Sequence, residues 1–259
     1  MIIKEVLKLE ILKGINIVKT YSSEFDDNSH NVLNGLDIAI HEGEFAAIMG
    51  SSGSGKTTLL NIFSGIDKPT TGEVEIMGLN VTSLNDNERA IFRREKLGMI
   101  FQDFNLLEDL TLKEKAVLPL LMQGKKQISI DKEVDNLFKL MNIYDIKDKY
   151  PRNVSQGQKQ RAASCRALAT NPRIILADEP TGNLDSKAAK RFMNYMKLIN
   201  CERNVTLLLA THDSLTASYC SRVIFIKDGN IFADIYKKEE DKIFINKILD
   251  CLVIMGGDD

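Results

Sequence analysis

An α/β fold is predicted, with a mostly parallel sheet, a smaller antiparallel β-subdomain and an inserted helical subdomain. Three observations predict it. A glycine-rich loop, GSSGSGKTT (Gly50–Thr58), lies between a strand-like run and a helix-like run. Apolar β-rich segments later alternate with helical ones, which requires crossover connections and hence parallel strands. Between these two regions the periodicity turns helical over a long stretch.

Taken in order, ILKGINIVKTY, NVLNGLDIAI and EFAAIMG read as strands within residues 11–49. The helix KTTLLNIFSG follows the glycine loop, and Thr71–Thr82 reads as a hairpin with Gly72 and Gly78 near its turns. From Leu84 to Gln160 the pattern is helical, with Pro119 and Pro151 as breaks. Strand signals return in IILAD (Ile174–Asp178), VTLLLATH (Val205–His212) and RVIFIKDGNIFAD (Arg222–Asp234). The C-terminal KKEEDKIFINKILDCLVIM reads as an amphipathic helix packed on its own domain. The expected organisation is one domain over 1–259. Residues 1–101 and 161–259 form the core and β-subdomain, and 102–160 form the helical subdomain.

The 259 residues suffice for a sizeable core, and 44% hydrophobic with 27% charged residues is ordinary for a globular protein. A net charge of −2 gives no reason to expect a nucleic-acid partner. Cys165, Cys201, Cys220 and Cys251 have neither metal-ligand nor redox spacing and read as reduced thiols. No run reaches the roughly 20 apolar residues that span a bilayer. The N-terminal stretch carries Lys4, Glu5, Lys8 and Glu10 within its apolar run, the wrong pattern for a cleaved leader. Any service to a membrane therefore passes through a partner.

The chemistry is concentrated in a few positions. Gly50, Ser51, Ser52, Gly53, Ser54, Gly55, Lys56, Thr57 and Thr58 form a loop whose backbone amides can wrap phosphates at a helix N-terminus. Lys56 is expected at the β- and γ-phosphates and the Thr57 hydroxyl on Mg²⁺. IILADEP ends in two adjacent acids: Asp178 is placed to hold Mg²⁺ through water, and Glu179 to activate the attacking water as general base. His212 closes a strand and reads as a γ-phosphate sensor. His30 and His41 have no such context and read as surface residues.

With these motifs in place, the chain resembles the nucleotide-binding subunits of ABC transporters, from about residue 14 to 235. VSQGQKQR (Val154–Arg161) stands where that family carries its LSGGQ signature, with Gln156 in place of the first glycine and Gly157 retained. The resemblance implies that Gln102 senses Mg²⁺ and the attacking water, and that Tyr21 stacks on adenine. It further implies that Asn183, Leu184 and Asp185 form the D-loop, and that two copies pair head to tail around two ATP. In such a pair Ser155, Gly157 and Gln158 of one copy would face the ATP of the other. Ser155 can cap the helix GQKQRAASCRAL, aiming its amides and dipole at the γ-phosphate.

The run from Leu84 to Gly124, including Phe92, Arg93, Arg94, Phe101, Gln102, Phe104, Asn105, Leu106, Leu107 and Pro119, resembles the branch serving lipoprotein release, macrolide export and bacitracin-type resistance. ADEPTGNLD (Ala177–Asp185) is typical of it too, while Lys115 and Ala116 depart from it. This implies a cytoplasmic, peripheral subunit driving an integral membrane permease whose coupling helix docks beside exposed aromatics near Gln102. The implied cargo is antimicrobial peptides or similar amphipathic molecules; lipoprotein release, a cell-division role and a soluble non-transport ATPase stand as alternatives.

Overall fold

The computed structural model describes residues 9–23, 26–124 and 127–256, so Lys4, Glu5 and Lys8 of the charged N-terminal stretch lie outside the described residues. The chain runs β1 (Glu10–Ser23), β2 (Asp26–His41), β3 (Phe45–Met49), α1 (Lys56–Phe63), β4 (Thr71–Ile76), β5 (Leu79–Asn80), α2 (Asp86–Lys96) and β6 (Leu97–Ile100). It continues through α3 (Leu112–Met122), α4 (Gln127–Leu140), α5 (Gln156–Ala169), β7 (Ile174–Asp178) and α6 (Ser186–Arg203). The last elements are β8 (Thr206–Thr211), α7 (Ser214–Ala217), β9 (Arg222–Lys227), β10 (Asn230–Tyr236) and α8 (Asp241–Gly256).

The strands sort into two sheets. One is antiparallel, in order β2-β1-β4-β5. The other has six strands in order β10-β9-β3-β8-β7-β6, parallel throughout except for the β9/β10 hairpin at its edge. Because successive side chains of a strand point to opposite faces, each buried strand feeds two cores. Phe45, Ala47 and Met49 of β3 join one cluster with Ile175, Leu207 and Phe225, while Ala46 and Ile48 join the other with Leu176, Leu208 and Ile224. The first cluster extends into α3, α4 and α5 through Leu112, Leu120, Leu137, Phe138 and Leu168. The second runs into the antiparallel sheet through Ile11, Leu12 and Ile40. Each fully buried aliphatic or aromatic side chain contributes about 1.5–3 kcal/mol.

Capping residues set several helix starts. Asn85, Thr111 and Ser155 each build a reciprocal box with the residue three positions on (Glu88, Glu114 and Gln158) ahead of α2, α3 and α5. Helix α8 buries Phe244, Ile248 and Met255 against its own domain, while Val253 and Ile254 stay 74% and 64% exposed.

Three local expectations are corrected. Residues 97–100 form a strand within the stretch read as helical, because Leu97 turns extended (φ −112°, ψ 142°) and its strand pairs with β7. Pro119 lies inside α3 instead of ending it; buried Leu112, Ala116, Val117 and Leu120 hold the helix through the lost amide. Gly78 does sit in the β4/β5 turn, but Gly72 is the second residue of β4, where a Cβ would strike the Asn16 carbonyl. No helix among the described residues is long and apolar enough to cross a membrane.

Candidate nucleotide-binding site

Four parallel strands deliver their C-terminal ends to one edge of the large sheet, the edge where open α/β sheets bind ligands. The glycine loop follows β3, Asp178 ends β7 with Glu179 next, His212 follows β8, and Gln102 lies two residues past β6. Ser51, Ser52, Gly53, Gly55, Lys56, Thr57, Thr58, Gln102, Glu179 and His212 line a cleft of about 800 Å³. That volume suits a nucleotide-sized ligand.

The loop's shape follows from its glycines. A Cβ at Gly50 would overlap the Ile226 carbonyl and the Ser54 hydroxyl. Gly55 caps α1 at φ 101°, a left-handed value that an L side chain adopts only under strain. Helix α1 has no side-chain cap and no acid in its first turn, so its leading amides stay available to an anion. Lys56 is 7% exposed and donates from Nζ to the carbonyls of Gly50 and Ser51, both at 2.8 Å. Burial holds its ammonium below the ordinary lysine range, opposed by the carboxylates of Glu179 and Asp178. Ser54 is buried beneath the loop, and its hydroxyl has no partner.

Thr57 donates from Oγ1 to Asp178 Oδ1 at 3.1 Å. Burial raises the Asp178 carboxyl above the ordinary carboxylate range, and the Thr57 bond partly offsets this. Glu179 extends the β7/β8 ladder by one amide, donating to the Ala210 carbonyl at 2.9 Å, and then turns at φ 42°. A left-handed non-glycine residue costs on the order of 1 kcal/mol or more, the kind of strain that gathers at functional sites. His212 donates from Nδ1 to Glu179 Oε1 at 2.8 Å.

Gln102 is fixed by Asn183, expected in the D-loop, and by Gly182 and the elements around them, whose part sequence reading passed over. Its amide packs over Gly182, where a Cβ would come within 3.1 Å of Nε2. Asn183 donates to the Gln102 carbonyl (3.0 Å) and to Asp103 Oδ1 (3.2 Å). Fully buried Gln160 of α5 donates to the carbonyls of Pro180 (2.7 Å) and Phe101 (3.4 Å). The loop after β7 is joined to α7 by Thr181 Oγ1 and Thr216 Oγ1 at 2.8 Å, and Thr216 donates to Asp213, the cap of α7. Apart from the Asp213 cap, these pairings have no local signal, because each partner lies on a different element.

Other expected residues lie outside the cleft lining. Tyr21, exposed near the end of β1, donates its hydroxyl to Asp67 Oδ2 (2.8 Å), and Lys19 Nζ sits 4.7 Å from its ring centre. Opposite it on β2 is His30, which lines the cleft together with Val32. His30 is exposed, as a surface residue should be, but it belongs to the site; His41 is half-buried. Ser155, Gly157 and Gln158 stand at the start of α5: Ser155 Oγ accepts from the Gln158 amide, and Gln158 Oε1 accepts from Ser155 N. The missing side chain of buried Gly157 faces Ala188 at 3.2 Å, so α5 meets the start of α6 there. Asp185 caps α6 by accepting from the Ala188 amide at 2.9 Å. The expected row of exposed aromatics after Gln102 is also corrected. Phe104 is 8% exposed and Phe101 is half-buried, leaving Leu107 as the protruding side chain. Phe104 turns inward through its own left-handed φ of 60°.

Comparison with known proteins fits this geometry. Residues 33–182 match the ABC transporter family. The chain is 47% identical to the uncharacterized ABC transporter ATP-binding protein YvcR of Bacillus subtilis, over 96% of both chains. It is 45% identical to the bacitracin export ATP-binding protein BceA of Halalkalibacterium halodurans, over 96% of this chain and 98% of that one. The ATP-binding cassette MJ0796 of Methanocaldococcus jannaschii, solved as a dimer in a post-hydrolysis state with ADP and phosphate, superposes with a TM-score of 0.81 at 38% identity. That match covers 88% of this chain and all of the other. The chain therefore belongs to the ATP-binding subunits of ABC transporters and is an ATPase.

Proposed function

We propose that two copies of this chain pair head to tail and hydrolyse ATP at two shared seams, each built from the glycine loop of one copy and the α5 start of the other. One observation carries the reading. The cleft gathers the glycine loop, Gln102, Glu179 and His212 on one side, whereas Ser155, Gly157 and Gln158 of the same chain lie outside it. Ser155 caps α5 yet stays exposed, as does Gln156, so the helix offers its first amides outward. The dimeric cassette MJ0796 supports the same assembly.

Within the seam, Lys56 would exchange its two loop carbonyls for phosphate oxygens. Glu179 would accept the proton of the attacking water, held in place by His212. The strain at Glu179 fixes the carboxylate before substrate arrives. Gln102 would report the state of the γ-phosphate to the elements bonded around it. Thr57 and Asp178 supply adjacent hard oxygens that fit Mg²⁺, and no group of three His, Cys, Asp or Glu side chains among the described residues competes for it. Mg²⁺ bound there would neutralise developing charge on the phosphates.

Tyr21 and His30 mark where the base would lie, with Tyr21 as its stacking face. Asp185 would act from the D-loop, through its cap on α6. Residues 102–160 would move as one helical subdomain, driving a permease from the cytoplasmic face of the membrane. The likeness to BceA supports export of antimicrobial peptides as the work performed.

Three outcomes follow. Glu179→Gln lowers turnover by about 10²–10⁴-fold and elutes as a dimer from size exclusion with Mg-ATP; a variant that stays monomeric contradicts the shared seam. Asp178→Asn raises the melting temperature of nucleotide-free protein at neutral pH while losing Mg²⁺-dependent turnover. Since burial holds the wild-type carboxyl above its unfolded value, ionising it weakens the fold as pH rises, so the variant's gain fades as pH drops below the carboxylate range. A variant that melts lower at neutral pH contradicts this. Deleting the gene from its host sensitises cells to bacitracin-class peptides; unchanged inhibitory concentrations reject that cargo.

A further inference from the structure

Gln160 is the fifth residue of α5, has no exposed surface and does not line the nucleotide cleft. Its Nε2 donates to the Pro180 carbonyl at 2.7 Å and to the Phe101 carbonyl at 3.4 Å. Both acceptors adjoin a residue of the cleft: Phe101 immediately precedes Gln102, and Pro180 immediately follows Glu179. One side-chain nitrogen therefore joins the loop after β6 to the loop after β7, beside the two residues expected to handle the attacking water.

The chemistry of the place asks for a carboxamide. Its single nitrogen carries two neutral donors, so two carbonyls are met without burying a charge. Serine or threonine offers one donor, and leucine or methionine offers none. Gln160 Oε1 is buried with no partner among the described residues, which costs stability relative to an apolar side chain of the same shape. Packing alone therefore does not account for glutamine here. The turn beside it is strained, because Glu179 sits at φ 42°. Pro180 has no amide to donate, so the turn is held through its carbonyls. The Gly182 amide donates to the Glu179 carbonyl at 3.0 Å, and Gln160 donates to the next one. A strained conformation persists only while its surroundings over-determine it.

We propose that Gln160 is a positioning residue for ATP hydrolysis. It ties the strained turn at Glu179 and the backbone entering Gln102 to one helix, and so fixes the base and the water-sensing amide relative to each other. The inference rests on the reading of Glu179 as general base and adds what keeps that base in place. Gln160 touches no reacting atom. Its loss should slow the chemical step and leave nucleotide binding by the glycine loop nearly unchanged.

The test is steady-state turnover of the full chain with Mg-ATP. Gln160→Met keeps the length of the side chain and removes both donors. Its kcat should fall by about 10–10²-fold, with KM for ATP within about threefold of the unsubstituted chain. Leu168→Ala opens a cavity further along α5, where Leu168 is buried, and controls for general loosening. It should lower the melting temperature yet keep most of its turnover. If Gln160→Met does not fold, Gln160→Glu takes its place. It has the shape of glutamine with at most one donor, and should lose kcat at unchanged KM in the same way. Unchanged kcat in the Gln160 variant, a rise in KM that accounts for the whole defect, or an equal loss of kcat in Leu168→Ala would overturn the proposal. Glu179→Gln, measured alongside, separates the two readings. If it retains turnover, the assignment of the base fails and this inference with it. If it is inactive while Gln160→Met turns over normally, only this inference fails.

Discussion

The site depends on the register of four parallel strands. Ile100 pairs with Ala177, Asp178 with Ala210, and Met49 with Thr211, so β6, β7, β8 and β3 end together. Each strand is buried on both faces, and a slip of one residue would exchange every side chain between the two cores. The cores therefore hold the register, and the register places Gln102, Glu179, His212 and the glycine loop around one cleft. Chemistry sits where the pairing runs out and the backbone is free to turn, at Glu179 most sharply.

Much of this was readable from local signals. The glycine loop between a strand and a helix, the apolar run ending in Asp178 and Glu179, and the cap Ser155 all depend on chemistry within a few residues. What stayed hidden needed a distant partner. Residues 97–100 follow a helix directly and become a strand because β7 lies beside them. Pro119 is tolerated because the buried face of α3 outweighs one missing amide. Phe104 looked like an exposed aromatic, yet a left-handed backbone turns it inward. His30 carried no motif; its place in the cleft comes from pairing opposite Tyr21.

The hydrogen bonds around Gln102 connect the remaining parts. Gln160 ties α5 to the loop after β7, Asn183 ties that loop to Gln102, and Arg166 ties α5 to the backbone beyond Gln102. The Gln160 bond is buried and the Arg166 bond half-buried, both costly to leave unmet, whereas the Asn183 bond is exposed. Neither Gln160 nor Arg166 belongs to the ATP-binding cleft.

A mixing experiment reaches the central claim most directly. Lys56→Ala removes the phosphate cation, whereas Ser155→Asp keeps a competent helix cap but puts a carboxylate where the partner copy's phosphates would sit. Each variant alone should fail to hydrolyse ATP. A mixture should regain turnover, because one seam of each mixed pair then joins an intact Lys56 to an intact Ser155. A mixture as inactive as its components, or full activity of Ser155→Asp by itself, would contradict a site divided between two chains.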